Sequence, residues 1–275
     1  MNLGRISEDY LGIPDMPNAE SRDKYLERVN NPDYDKHNDS NNFQKIERFD
    51  YSDIAGWYSK FKTALSQDTI EDGDIYEFGC WSGKTLKAMN LAINKLHRKK
   101  VDYKNIHAFD SFEGLPEETE GMYRTPSWCK GNFSSKHLFH TNDTETIKRR
   151  IQDISGFKKI NFIEGFYEDS LNEETFNNNE FNPAILVHID VDIYKSTVEV
   201  LDFLFKYKII RKGTILVYDD FGQIAPFDSG LPLYGEKLAH KELCEKYNAK
   251  WSIYQNGFSL YQEAIITILD YEDCP

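Results

Sequence analysis

Residues 184–197 read Ala-Ile-Leu-Val-His-Ile-Asp-Val-Asp-Ile-Tyr-Lys-Ser-Thr, an apolar run followed by two aspartates. The segment Ala184–Ile189 is nearly all apolar, which is typical of a strand that helices cover on both faces. Apolar side chains then recur at helical spacing over Thr197–Tyr207, and a second short apolar strand, Thr214–Tyr218, follows them. This strand–helix–strand order predicts a parallel sheet whose strands end at the same edge.

The same alternation extends over the rest of the chain. The other predicted strands are Asp74–Phe78, Ile106–Phe109 and Ile160–Ile163, and the other predicted helices are Ile54–Leu65, Thr85–Leu96, Asn142–Ile154 and Gly235–Tyr247. A capping-box-like pair, Asn142 and Glu145, opens the third of these helices, and Gly156 follows its end. The segment Trp251–Leu269 alternates aromatic and β-branched runs around Asn256-Gly257, which indicates antiparallel strands. We therefore predict a Rossmann-like α/β fold, with a doubly wound, mostly parallel sheet and an antiparallel C-terminal hairpin.

Composition and charge argue against several classes of protein. The 275 residues carry 33 Lys and Arg against 46 Asp and Glu, so the net charge is −13. A chain that acidic is a poor match for a phosphate backbone, so we expect no nucleic-acid partner. No apolar run approaches the roughly 18 to 20 residues of a membrane-spanning helix, and the first ten residues lack the apolar core of a signal peptide. The four cysteines show no CxxC spacing, and we expect a reduced, cytoplasmic protein.

Residues 1–50 differ in composition from the rest of the chain. They are polar, rich in Asn, Asp, Arg and Lys, and carry Pro14, Pro17 and Pro32. This composition predicts an arm or lid segment rather than a part of the core. Residues 51–275 are predicted to form one folded domain. A homo-oligomer of the chain is possible.

The first candidate site lies after the first predicted strand, because ligands of a doubly wound sheet bind beyond the carboxyl ends of its strands. Glycines four residues apart, Gly79 and Gly83, allow a tight turn, and the N-terminus of the next helix can hold a small carboxylate there. A dinucleotide fingerprint would have glycine where Trp81 stands, which argues against a tightly bound pyrophosphate. The structural alternative is an ordinary turn with packing glycines. The candidate binding residues of this segment are Glu77, Gly79, Cys80, Trp81, Ser82, Gly83 and Thr85.

The next two strand ends offer groups that suit a nucleoside. Asp110 ends the second predicted strand, where a carboxylate can accept hydrogen bonds from both ribose hydroxyls, and Ser111 follows it. Alternatively, Asp110 caps a helix or lies in a solvated turn. After the third strand, Gly165, Phe166 and Tyr167 could form a flat slot for an adenine ring, or the two aromatic side chains could belong to the core.

Carboxylates follow the last two parallel strands. Asp190 ends one strand and Asp219-Asp220 end its neighbour, which lies about 4.8 Å away. Three carboxylates that close repel one another unless a cation or protons lie between them. Oxygen ligands favour Mg²⁺ or another hard divalent cation over zinc. Asp192 is better explained as a helix cap, and His188, although in phase with Asp190, as a core histidine.

Four runs occur together and in order: the glycine turn, Phe109–Pro116, His188–Thr197 and Asp219–Gly222. Together they resemble the macrocin O-methyltransferase (TylF-like) family, which methylates sugar hydroxyls with S-adenosylmethionine. The resemblance covers about residues 50–262, and it implies that residues 51–275 form a class I methyltransferase domain.

The resemblance also implies a role for each strand exit. Residues Glu77–Thr85 would hold the methionine end of the cofactor, Asp110 its ribose, and Gly165–Tyr167 would flank its adenine. In such enzymes Mg²⁺ contacts the substrate and lowers the pKa of the attacking hydroxyl. Asp190 would receive the proton, and the methyl group would move by direct displacement at the sulfonium carbon. The implied metal ligands are Asp190, Asp219 and Asp220.

Some residues depart from the family pattern. Ser82-Gly83-Lys84 stands where family members commonly have Arg-Gly-Gly, and Val191 where many have glycine. Substrate recognition in the family falls on the loop Gln223–Tyr234 and on the N-terminal segments, where this chain offers no match. We expect the acceptor to be a sugar in a glycan or glycosylated metabolite. The alternatives are a metal-dependent O-methyltransferase of a catechol or other phenol, a nicotinamide-dependent oxidoreductase, and a catalytically inactive binding module.

Overall fold

The computed structural model describes residues 51–66, 73–95, 103–122, 128–221, 233–256 and 264–271. The predicted arm or lid, residues 1–50, lies outside the described residues, as do the Asn256-Gly257 turn beyond Asn256 and most of the loop after β5.

The described residues form helices and strands in alternation. The helices are α1 (Tyr51–Leu65), α2 (Lys84–Lys95), α3 (Ser135–Phe139), α4 (Thr144–Ser155), α5 (Tyr167–Ser170), α6 (Glu173–Asn178), α7 (Tyr194–Lys206) and α8 (Gly235–Lys246). The strands are β1 (Gly73–Phe78), β2 (Tyr103–Asp110), β3 (Asn161–Glu164), β4 (Ala184–Ile189), β5 (Ile215–Tyr218), β6 (Ala249–Asn256) and β7 (Ala264–Tyr271).

The seven strands form one sheet in the order β3-β2-β1-β4-β5-β7-β6. The first five are parallel, β7 pairs antiparallel with β5, and β6 pairs antiparallel with β7. This arrangement confirms the predicted doubly wound sheet with an antiparallel C-terminal hairpin. In the register, His188 of β4 lies between Glu77 of β1 and Val217 of β5, so the exits of these three strands are adjacent.

Helices cover both faces of the sheet, as the apolar β4 run predicts. Residues of β4 enter two separate clusters of buried side chains: Leu186 belongs to the cluster that includes residues of α1, α2 and α4, and Val187 to the cluster that includes residues of α7 and α8. Both residues are fully buried. Burial of a leucine or valine side chain contributes about 1.5 to 3 kcal/mol, so each of these two residues stabilises the fold substantially.

Three short helices, α3, α5 and α6, were not predicted, because four to six residues are too few to show a helical period. The predicted capping box at Asn142 and Glu145 is wrong. Asp143 is the N-cap residue of α4, and its side chain accepts a hydrogen bond from the Thr146 hydroxyl instead of a backbone N–H. The predicted end at Gly156 is confirmed, with φ of +73° and its N–H bonded to the Gln152 carbonyl.

The longest helix of the described part of the chain is α1, with 15 residues. Across the described residues, no helix is both long enough and apolar enough to cross a membrane.

The exits of β1 and β4 approach each other closely through the backbone. The Asp190 N–H, just after β4, donates to the Phe78 carbonyl of β1 (3.0 Å). On the other side of β1, the Gly79 N–H donates to the Phe109 carbonyl of β2 (2.9 Å). Gly79 has φ of +82°, and a Cβ at this position would lie 1.8 Å from the Asp190 carbonyl oxygen. Glycine is therefore required at residue 79 both for its backbone conformation and for the space that a side chain would take.

Replacing Gly79 with Ala should destabilise the protein far more than its backbone conformation alone requires. Gly131 has the same φ of +82°, and no described atom lies within 4 Å of a Cβ built there. Gly131→Ala should therefore lower the free energy of unfolding only by the strain of a left-handed alanine, about 1 to 2 kcal/mol. Gly79→Ala should lower it by at least about 2 kcal/mol more, because the Asp190 carbonyl must move. Chemical denaturation measures both; equal losses would contradict the close approach.

Candidate active site

The turn after β1 is held by a carboxylate that belongs to β2. Asp110 Oδ2 accepts hydrogen bonds from the backbone N–H groups of Cys80 (3.0 Å) and Trp81 (2.9 Å), and Oδ1 accepts one from Phe112 N–H (2.7 Å). Burial raises the pKa of Asp110, and these hydrogen bonds act in the opposite direction. Asp110 thus lies at the expected strand exit, where it fixes the glycine turn; its contact with a ribose stays a prediction.

The turn combines unusual backbone conformations with tight packing. The φ angle is +31° at Trp81 and +77° at Gly83. A Cβ at Gly83 would lie 3.1 Å from a side-chain carbon of Ile151, so this glycine lets α4 pack against the start of α2. Ser135 Oγ donates to the Trp81 carbonyl (2.8 Å) from the other side. The N-terminus of α2 follows at once, and Thr85 lies half-buried in its first turn.

Two serines near these turns bond to the local backbone. Ser82 is buried, and its Oγ accepts a hydrogen bond from the Lys84 N–H (3.4 Å). Ser111 Oγ accepts one from the Glu113 N–H (3.1 Å) and donates to the Gly114 carbonyl (3.2 Å). Both side chains therefore shape the turns that carry them.

The third exit brings Tyr167 under the end of the sheet. Gly165 has φ of +135°, and its N–H donates to the Asp110 carbonyl (3.1 Å). The Tyr167 hydroxyl donates to the Phe109 carbonyl (3.3 Å), and its ring stands edge-on to Phe78, with centroids 6.0 Å apart. Tyr167 therefore packs on the core at least in part, whereas the half-buried Phe166 precedes α5 as its N-cap residue.

A buried polar pair links β1 and β4 beneath the site. His188 Nδ1 lies 3.0 Å from Glu77 Oε1, and both side chains are fully buried. The rings of Trp57 and Phe61 contact the imidazole edge-on, with centroids 4.8 and 5.3 Å away. The buried atoms Glu77 Oε2 and His188 Nε2 have no hydrogen-bond partner among the described residues. The expected core position of His188 is therefore confirmed, but within the described part of the chain its hydrogen bonding is satisfied at only one ring nitrogen, and Glu77 retains one acceptor that a ligand amine can satisfy.

Three carboxylates meet beyond β4 and β5. One oxygen each of Asp190, Asp192 and Asp220 lies within 4.8 Å of the others, and all three side chains are half-buried. Asp190 and Asp220 belong to the set that the sequence predicts. Asp219 is not a member of this group, and Asp192 takes its place. The Asp192 backbone is left-handed, with φ of +61°.

The interpretation of Asp192 as a helix cap is wrong. The N-cap residue of α7 is Ile193, and no side chain caps that helix locally. Instead, the buried carboxylate of Glu118 accepts hydrogen bonds from the N–H groups of Tyr194 (2.8 Å) and Lys195 (3.0 Å). Because Glu118 lies on the loop after β2, this cap ties that loop to the start of α7 and leaves the Asp192 carboxylate for the acidic cluster.

Asp219 faces a different set of charges. Burial raises its pKa, while His188 and Lys60 act in the opposite direction. Its N–H donates to the Ile189 carbonyl (3.0 Å), which continues the β4–β5 ladder past the end of β5. Among the charged neighbours of Asp190, however, Asp219 raises the Asp190 pKa the most. Asp219 therefore lies beside the carboxylate group, toward α1.

Burial and mutual repulsion raise the pKa of each of these carboxyl groups. The pKa of Asp190 and that of Asp220 are raised well above the usual range, first by burial and then by neighbouring carboxylates. The pKa of Asp192 is raised to about 7, again mainly by burial. Carboxylate oxygens at this spacing can hold a hard divalent cation, which would favour their ionised forms.

The sequence analysis did not identify Glu236. It lies in the first turn of α8, is fully buried, and accepts hydrogen bonds from the N–H groups of Val191 (3.3 Å) and Asp220 (3.0 Å). No local pattern signals this role, because residues 223–234 separate Glu236 from β5 in the sequence and only the tertiary structure brings it between the two loops.

Comparisons with known proteins support this reading of the fold. CalS11, a calicheamicin methyltransferase, aligns with a TM-score of 0.54 over 97% of this chain and 99% of its own, at 17% identity. The O-methyltransferase NovP aligns with a TM-score of 0.51 over 78% of this chain and 79% of its own, at 17% identity. An apo structure describes CalS11 as a TDP-rhamnose 3'-O-methyltransferase and aligns with a TM-score of 0.47 over 91% of this chain and 95% of its own, at 16% identity. Comparison with curated proteins gives no match.

The two alignments with TM-scores above 0.5 show the fold, and a family model shows the family. The model of macrocin O-methyltransferase (TylF) matches residues 59–236, which is more than half of the chain and includes the glycine turn, Asp110 and the acidic cluster. The chain therefore belongs to the macrocin O-methyltransferase family and is an S-adenosylmethionine-dependent O-methyltransferase.

Proposed function

We propose that this enzyme methylates a hydroxyl of a sugar, in a glycan or glycosylated metabolite, with the help of a divalent cation. The observation that carries the proposal is the position of the acidic cluster. The backbone of Asp190 touches Gly79 of the glycine turn, so a cation at the cluster lies next to a cofactor that is held at the turn. That placement suits an acceptor hydroxyl brought up to a methyl donor.

The residues around the turn fit S-adenosylmethionine. Glu77 Oε2 is a buried acceptor without a described partner, which suits the amino group of the methionine end. The N-terminus of α2 suits its carboxylate. The residues proposed to hold the methionine end are Glu77, Gly79, Cys80, Trp81, Ser82, Gly83 and Thr85, those for the ribose are Asp110 and Ser111, and those for the adenine are Gly165, Phe166 and Tyr167.

The acidic cluster fits a hard divalent cation such as Mg²⁺, because its donor atoms are all carboxylate oxygens. We propose Asp190, Asp219 and Asp220 as the ligands. Asp190 and Asp220 are already within 4.8 Å of each other, and Asp219 is the charged neighbour that acts most strongly on Asp190.

Asp192 is a better candidate than Asp190 for the proton acceptor. A carboxylate that binds a cation is a weak base, which argues against Asp190 in that role. Asp192 lies beside two proposed ligands and is not itself proposed as a ligand, so its carboxylate can serve as the base. A divalent cation held by Asp190, Asp219 and Asp220 would supply Lewis acidity toward the acceptor hydroxyl. Asp192 would accept the proton of that hydroxyl.

The family favours a sugar as the acceptor, since the resemblance to this family implies methylation of sugar hydroxyls. A metal-dependent catechol methyltransferase would keep the same cofactor and cation residues and differ in its acceptor pocket. Family membership gives no support to the nicotinamide-dependent alternative or to an inactive binding module.

A panel of acceptors tests the sugar proposal. The full-length protein, with S-adenosylmethionine and Mg²⁺, should produce S-adenosylhomocysteine with at least one sugar acceptor, such as TDP-rhamnose or a glycoside, and not with catechol. Boiled enzyme and acceptor-free reactions are the controls. Turnover of catechol without turnover of any sugar would contradict the proposed acceptor while leaving the methyltransferase chemistry in place.

A pair of conservative variants separates the two roles proposed for the aspartates. Asp219→Asn should weaken Mg²⁺ binding at least tenfold, because it removes a ligand charge. Asp192→Asn should leave Mg²⁺ affinity within about threefold of the wild type and lower turnover by about 100-fold or more, the contribution of a general base. Calorimetry measures the first quantity and methyl transfer the second.

Asp202→Asn provides the control for these variants, because Asp202 lies on α7 away from the cluster and bonds to the Tyr247 hydroxyl (2.8 Å). It should change neither quantity. The opposite pattern, in which Asp192→Asn loses Mg²⁺ and Asp219→Asn keeps it, would assign the third ligand to Asp192.

A further inference from the structure

We infer that Glu236 is a positioning residue that sets the separation between the two loops carrying the cation-binding aspartates. The inference rests on the proposed cation-dependent function and adds a residue to it. One oxygen of Glu236 accepts the N–H of Val191, between Asp190 and Asp192, and the other accepts the N–H of Asp220. The side chain thus bridges the exits of β4 and β5.

A carboxylate suits this bridge better than any neutral side chain. Two backbone N–H groups, on loops from different strands, each need an acceptor, and the two oxygens of Glu236 supply one apiece. A glutamine of the same size has one acceptor oxygen, and its NH₂ group would face the other N–H donor. The distance between the two loops is therefore fixed by the span of one carboxylate.

The helix that carries Glu236 packs against α7. Glu236 is fully buried in the first turn of α8, which packs on α7 through buried residues such as Ala239 and Leu243. The preceding residue, Gly235, has φ of +54°, and a Cβ there would lie 3.8 Å from the Asp192 carbonyl oxygen. The start of α8 therefore sits against the Asp190–Asp192 loop through both side chain and backbone.

The position is electrostatically unfavourable unless positive charge is nearby. Glu236 is fully buried and bonds to the backbone of Asp220, and carboxylates that lie this close to one another repel when they are ionised. A fifth carboxylate beside the cluster is favourable when a divalent cation is bound, since the cation offsets the repulsion and each ligand loop must then keep a fixed place.

Calorimetric titration of the full chain with Mg²⁺ tests this inference. Glu236→Gln should weaken Mg²⁺ binding by about 10- to 100-fold, the range for residues that orient metal ligands. Glu236→Asp keeps the charge and shortens the side chain, so it should also weaken binding. Glu245→Gln, an exposed glutamate on the same helix, should bind Mg²⁺ like the wild type.

Affinity for S-adenosylhomocysteine is the second readout. It should stay within about twofold of the wild-type value in both Glu236 variants, which shows that they are folded, whereas general damage would weaken both ligands. Normal Mg²⁺ binding by Glu236→Gln would overturn the inference. Normal binding by Glu236→Asp would overturn it as well, because charge alone would then explain the effect. A wild-type protein that binds no Mg²⁺ would overturn the proposed cation dependence together with this inference.

Discussion

The site depends on one close backbone contact between neighbouring parallel strands. The Asp190 N–H bonds to the Phe78 carbonyl, and the Asp190 carbonyl occupies the space that a side chain at Gly79 would need. One contact therefore fixes the glycine turn and the first aspartate of the acidic cluster relative to each other. Methyl transfer requires this kind of fixed geometry, because a misplacement of about 1 Å can cost about 100-fold in rate.

Carboxylates from distant parts of the chain maintain that geometry. Asp110 holds the turn after β1, Glu118 holds the start of α7, and Glu236 holds the loops after β4 and β5, each through backbone N–H groups. The excess of acidic over basic residues therefore includes carboxylates that hold the backbone in place as well as carboxylates on the surface. The half-buried carboxyl groups of the cluster repel one another when they are ionised together, and a bound cation would offset that repulsion.

The main features of the fold are readable from the sequence because strongly apolar strands such as β4 are buried on both faces. The sequence also predicts part of the site, because the runs around Asp110, Asp190 and Asp220 place these residues at strand exits. The errors come from tertiary contacts. Asp192 is not a helix cap because Glu118, which lies 76 residues before Tyr194, takes that role. Glu236 shows no local signal because a long loop separates it from β5. The short helices α5 and α6 lack enough residues for a period, and Asn172 caps α6 through its own side chain.

The most direct test of the account is whether Mg²⁺ stabilises the folded protein by binding at the acidic cluster. Thermal unfolding at neutral pH should shift upward by about 5 °C when free Mg²⁺ is about 100 times its dissociation constant. The shift should saturate, and Asp190→Asn should abolish it. NaCl at the same ionic strength should give a much smaller shift, because screening acts weakly on buried charges. Equal shifts with Mg²⁺ and NaCl, or no shift with either, would contradict a cation site at this cluster.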